Sequence, residues 1–254
     1  MLENIQSFLD ERYVRYCTPA FIETDPVQIP HLFERKEDIE IAGFLAAAIA
    51  WGQRKAIIAG AKRLMGLMNN EPYDFVMNAS PDELQRLETF VYRTFQPDDC
   101  LFFITSLRHI YTNCGGLHNV FTEGYNASGS IFGALAHFRN VFMETPHLPR
   151  SAKHVADVQR GASAKRLNMF LRWMVRRDDG IDFGLWKEIP ASALMIPLDV
   201  HTGNVGRALG LLKRKANDRK AVEELTENLR KFDPQDPVKY DFALFGLGVF
   251  EKFR

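Results

Sequence analysis

Two short stretches carry residue types and spacings that suit chemistry on a substrate. In IPLDVHTGNVGRALGL, residues 196–211, Asp199 and His201 stand two apart, just after Pro197, at the start of a segment that reads as a helix. A carboxylate there has two uses. Its oxygen can cap the helix by accepting a bond from a first-turn amide, or its charge can serve a reaction at the positive end of the helix dipole. In QRGASAKRLNMFLRWMVR, residues 159–176, the GASA turn opens into an amphipathic helix with Lys165 in its first turn. Amides at such a start can meet a phosphate. A lysine turns nucleophilic when desolvation or a neighbouring cation favours its neutral form, and Arg166 beside Lys165 is compatible with that.

These residues need elements to hold them, and helical periodicity dominates the chain. The run IAGFLAAAIAW at 41–51 is too short for a bilayer, which takes roughly 20 residues, and reads as a buried helix. In RKAIIAGAKRLMGLM the apolar positions Ile57, Ile58, Ala61, Leu64, Met65 and Met68 recur at helical spacing. Ser80, Pro81 and Glu83 make a capping box. Pro97 opens a further helix that Gly115 and Gly116 close. The stretch TFVYRTF at 89–95 could pass for a strand but has no partner to pair with. The fold class expected is all-α, with the 254 residues as one compact helical unit. Two lobes are expected within it, at about 37–143 and 1–36 plus 144–254.

Composition narrows the function classes. Lysine plus arginine equals aspartate plus glutamate at 32 each, so a nucleic-acid site would have to be a local patch. One candidate is the segment 150–177, where Arg150, Lys153, Arg160, Lys165, Arg166, Arg172, Arg176 and Arg177 face Asp157 alone, a net charge of +7. The run suits a phosphate-binding face, or else a solvated helix surface. Trp173 and its Met and Leu neighbours read as core. Cys17, Cys100 and Cys114 include no CxxC pair, which argues against a disulfide framework or a zinc site, and the seven histidines lack ligand spacing. No metal or cofactor is expected. The polar, acidic N-terminus lacks the features of a secretory signal, so a cytoplasmic location is expected, without a membrane partner.

Taken together, GASAK before an apolar helix and PLDVHTGNVGRALG further on resemble the helix-hairpin-helix (HhH-GPD) DNA glycosylase superfamily. In that superfamily a glycine hairpin precedes a helix and a VDTHVxRVxxRLG-like segment supplies the catalytic aspartate. Asp199 and Gly210 stand eleven apart as in that segment, His201 falls on its histidine, and Gly161 and Lys165 match the hairpin's first glycine and the nucleophilic lysine of bifunctional members. DIEIAGFLAAAIAWGQRKAI resembles the early helix and turn, where Gln53 would fill the gap left by a flipped base, with Trp51 and Arg54 beside it.

The departures are specific. Ser163 stands at the second glycine, the Leu-Pro lead is missing, and no C-terminal cysteine cluster follows. The 34-residue gap from Lys165 to Asp199 is more like the archaeal 8-oxoguanine glycosylase branch than the endonuclease III relatives. The pattern is also similar to a bacterial family of uncharacterised proteins.

The resemblance implies a two-lobed helical fold and a DNA N-glycosylase with possible abasic-site lyase activity on damaged duplex DNA. Lys165 and Asp199 would be catalytic, while Gln53, Arg54, Arg160, Gly161, Ser163, Arg166 and His201 would contact the nucleic acid. A glycosylase-like fold kept as a non-catalytic nucleic-acid-binding module is the alternative, and a partner-binding helical scaffold is a third. The loop 176–197 between the two catalytic candidates is the place expected to set substrate selectivity.

Overall fold

A computed structural model describes residues 2–177 and 179–253. All named elements among them are helices, from α1 (Leu2–Tyr16) and α2 (Ala20–Thr24) at the start. Next come α3 (Lys36–Ala48), α4 (Arg54–Leu67), α5 (Pro72–Asn78), α6 (Pro81–Arg86), α7 (Pro97–Asn113), α8 (Leu117–Ser128) and α9 (Ile131–Phe142). The chain closes with α10 (Lys165–Val175), α11 (Val200–Ala208), α12 (Arg219–Arg230) and α13 (Tyr240–Val249). The strand-like stretch at 89–95 closes on itself, because Tyr92 and Phe95 form an isolated antiparallel bridge around Arg93, whose φ is +54°. None of the described helices is long and apolar enough to cross a membrane.

The helix starts follow from local chemistry. The Glu83 N–H donates to Ser80 Oγ while the Glu83 carboxylate accepts from the Ser80 N–H, the reciprocal pair that satisfies two first-turn donors of α6. At α7, Gln96 and Asp99 repeat the arrangement behind Pro97. Gly115 and Gly116, at φ +72° and +94°, turn the chain out of α7 in a conformation that costs glycine little.

The chain divides into two compact units, residues 24–157 and residues 1–23 with 158–254. The first has an aromatic core. Phe44 of α3, buried as its run predicts, stacks on Phe103 at 5.7 Å and meets Phe138 edge-on at 5.4 Å, while Phe142 packs against Phe102 and Phe103. Such pairs add roughly 0.5–1.5 kcal/mol each beyond burial. A buried polar knot joins the start of α7 to the 3-10 turn Pro149–His154. In it Asp99 accepts from Arg150 at 2.7 and 2.8 Å and from Ser151, with His154 Nε2 3.2 Å away.

The second unit buries Trp173, Trp186 and Phe170, with Phe170 edge-on to Trp186 at 5.4 Å. A second knot lies on α10. Arg172 pairs with Asp182 and Asp241, and Arg176 with Asp179, Asp182 and Asp236. Tyr13 of α1 accepts a further bond from Arg176 at 2.8 Å. Burial pushes the Asp182 carboxyl above its ordinary range although both arginines pull it down. Removing one member of such a pairing leaves an uncompensated buried charge, a loss of about 3–5 kcal/mol.

Candidate functional site

Asp199 is the N-cap of α11. The Thr202 N–H donates to its Oδ1 at 2.9 Å, and its backbone is extended, as a capping residue requires. The second carboxylate oxygen has no hydrogen-bonding partner among the described residues, and the side chain is half-buried. One oxygen therefore satisfies the helix while the other stays available. The backbone carbonyl is held as well, by the Gly203 N–H at 2.9 Å and Asn217 Nδ2 at 3.2 Å. The lead-in is anchored by Thr226 of α12, whose Oγ1 accepts from the Ile196 N–H at 3.1 Å.

Lys165 is the first residue of α10 and is half-buried. At 100° per residue it shares a stripe with Arg172 and Arg176, both turned into the unit, and this accounts for its partial burial. Its ammonium has no ion-pair or hydrogen-bonding partner among the described residues. The turn before it needs two left-handed residues, Gly161 at φ +87° and Ala164 at φ +51°. For alanine this conformation costs roughly 1–2 kcal/mol. Ala164 is 4% exposed, so the strain is held in place by packing. Ser163 is half-buried and its carbonyl accepts from Asn168 Nδ2 at 3.1 Å, closing the turn onto α10.

The two stretches are tied through α12. The Arg219 N–H donates to the Gly161 carbonyl at 2.9 Å, and two residues earlier Asn217 holds the Asp199 carbonyl. Asp218 between them caps α12 by accepting from the Ala221 N–H at 3.1 Å. A single segment, 217–219, thus touches both the turn that leads to Lys165 and the cap that presents Asp199. Sequence reading missed Asn217 and Arg219. The Asn-Asp pair before a strongly amphipathic helix signals only a cap, and nothing local says what its neighbours touch.

Other candidates fall out variously. His201 is exposed on α11 and packs against Gly248 of α13, where a Cβ would stand 2.9 Å from the His201 Cβ. Arg160 is exposed in the turn, while Arg166 is half-buried, its guanidinium lowered by burial to about 10 and still charged at neutral pH. Gln53 and Arg54 belong to the other unit. Gln53 is exposed at the start of α4 and makes no side-chain cap, and Arg54 lies 3.9 Å from Asp25.

The basic run 150–177 is not one phosphate-binding face. Arg150 serves Asp99 in one unit, and Arg172 and Arg176 are buried against carboxylates in the other, because only paired guanidinium groups survive desolvation. Asp179 accepts from Cys17, Arg176 and the Ile181 and Asp182 amides, so the loop 176–197 is pinned at its start, while Asp178 lies outside the described residues. The three cysteines are free thiols, Cys100 buried and the others half-buried.

Residues 25–250 match the family described as protein of unknown function (DUF2400), which spans nearly the whole chain. The chain belongs to the DUF2400 family. No curated protein and no solved structure matches it.

Proposed function

We propose that this DUF2400 chain is a DNA glycosylase with abasic-site lyase activity, built on an HhH-GPD-like fold and acting on a damaged nucleotide flipped out of duplex DNA. The observation that carries the reading is the attachment of the Gly161 turn and the Asp199 cap to the same three residues of the α12 entry. One segment thus supports both the turn that leads to Lys165 and the cap formed by Asp199, and substitution at a sugar carbon calls for an amine and a carboxylate of this kind.

In this reading the Nζ lone pair of Lys165 attacks C1′ while the bond to the base breaks. The electron pair leaves with the base, which takes up a proton. The carboxylate of Asp199 offsets the positive charge that gathers on the sugar and then takes the proton released from Nζ. The C1′–O4′ bond then breaks to give an imine as O4′ takes up a proton; water takes the C2′ proton, a C2′–C3′ double bond forms, and the C3′–O bond breaks so that the 3′ phosphate leaves with its electron pair.

A duplex carrying one abasic site tests this. Wild-type protein is expected to cut the strand at that site, and Lys165→Ala to bind the duplex without cutting it. Binding without cutting by the wild type would remove the lyase step and leave a glycosylase without lyase activity or a nucleic-acid-binding module.

A further inference from the structure

A second basic segment lies outside the run singled out by charge. Residues 213–220, KRKANDRK, run from the connection between α11 and α12 into the first turn of α12 and hold Lys213, Arg214, Lys215, Arg219 and Lys220. The carboxylates around them are already engaged. Asp218 pairs with Arg214, Glu223 pairs with Arg219 at 2.9 Å, and Glu224 accepts from the Lys213 and Arg214 amides at 2.6 and 3.3 Å. Lys213, Lys215 and Lys220 are exposed, and among the described residues none of the three has an ion-pair partner.

The loop that presents these lysines is fixed. The Arg207 guanidinium donates to the carbonyls of Arg214 and Lys215, both at 2.9 Å, and to Asn217 Oδ1 at 2.6 Å. Three ammonium groups are therefore carried on a backbone that is braced from α11 and α12 at once. A braced loop keeps its charges together without the ordering cost that a free tail would incur on binding. Its far end is the segment 217–219 that touches Gly161 and Asp199.

We propose that Lys213, Lys215 and Lys220 form a phosphate-binding rim that seats the backbone of a DNA duplex beside the Lys165–Asp199 site. The inference rests on the function proposed above for its choice of DNA as the polyanion. The rim supplies sequence-independent attraction, and the paired arginines of α10 contribute none of it.

The test is a fluorescence-anisotropy titration of a labelled duplex bearing an uncleavable abasic analogue, repeated across a range of KCl concentrations. The proteins compared are wild type, Lys213→Gln/Lys215→Gln/Lys220→Gln, and Lys231→Gln, a control at the opposite end of α12. Each phosphate that a lysine neutralises adds about 0.9 to the steepness of log K against log salt, so the triple variant's slope is expected to be shallower by about 2–3. The control keeps the wild-type slope. Melting temperatures of all three establish that they are folded. An unchanged slope in the triple variant, or no duplex binding by the wild type, overturns the rim. Cleavage of an abasic duplex at saturating protein is scored separately. Cleavage with an unchanged slope retains the proposed chemistry and removes the rim, and a shallower slope without cleavage does the reverse.

Discussion

The backbone N–H of Arg219 donates to the carbonyl of Gly161 at 2.9 Å, across 58 positions of sequence. Seven residues after Arg219, Thr226 holds the amide of Ile196, three residues before Asp199. One helix, α12, therefore fixes the entry to both catalytic candidates, and a change in it should be felt at both.

Arg219 contributes its backbone to the turn, so Arg219→Pro removes the donor while leaving a residue suited to the first helical position. The expected outcome is loss of strand cleavage with modest loss of stability, about 1–2 kcal/mol by chemical denaturation. Arg219→Ala, which keeps the N–H, should retain cleavage.

Asp199 has separable roles. Asp199→Ser keeps an acceptor for the Thr202 N–H and should leave the melting temperature close to wild type, whereas Asp199→Ala should cost about 1 kcal/mol. Both remove the charge, and both should abolish cleavage. Cleavage surviving in the serine variant would reduce Asp199 to a cap.

Ala164 and Gly161 make opposite predictions about strain. Ala164→Gly relieves a left-handed alanine and should stabilise the protein by up to about 1 kcal/mol. Gly161→Ala adds a Cβ that meets nothing within 4 Å, so its cost is backbone strain alone, about 1 kcal/mol. Urea denaturation of the two variants measures both signs.

Asp99 sets an acid limb. Burial raises its carboxyl, but bonds from Ser151, Gln96 and Arg150 and the nearby His154 outweigh that and hold it below the usual range. A depressed folded value means the stabilisation is fully present above the unfolded value of about 3.9 and is lost as pH falls through the folded one. Asp99→Asn should flatten the decline of stability below about pH 4 and cost about 1.5–3 kcal/mol at neutral pH, since Arg150 is partly exposed and can be solvated. Asp182 works the other way, since its raised carboxyl loses stability as pH rises past the unfolded value.

What the sequence makes legible is local. The Ser80–Glu83 box, the glycine stop after α7, the buried run of α3 and Asp199 as a cap all depend on residues a few positions apart, and the structure has each of them. The arginines of α10 are different. Their partners Asp236 and Asp241 lie 60 and 69 residues away, so charge counting treats as a surface what folding turns inward. The same distance hides the α12 tether. Ala164 is illegible for another reason, since alanine carries no mark of a left-handed position and only the surrounding packing imposes it.

The most direct test of the account is borohydride trapping on duplex DNA with an abasic site or 8-oxoguanine, followed by mass spectrometry of the digested adduct. The account predicts a covalent protein–DNA product in the wild type, with the added mass on the peptide that contains Lys165, and no product in Lys165→Ala. An adduct undiminished in Lys165→Ala, or none in a wild type that binds the duplex, would contradict it.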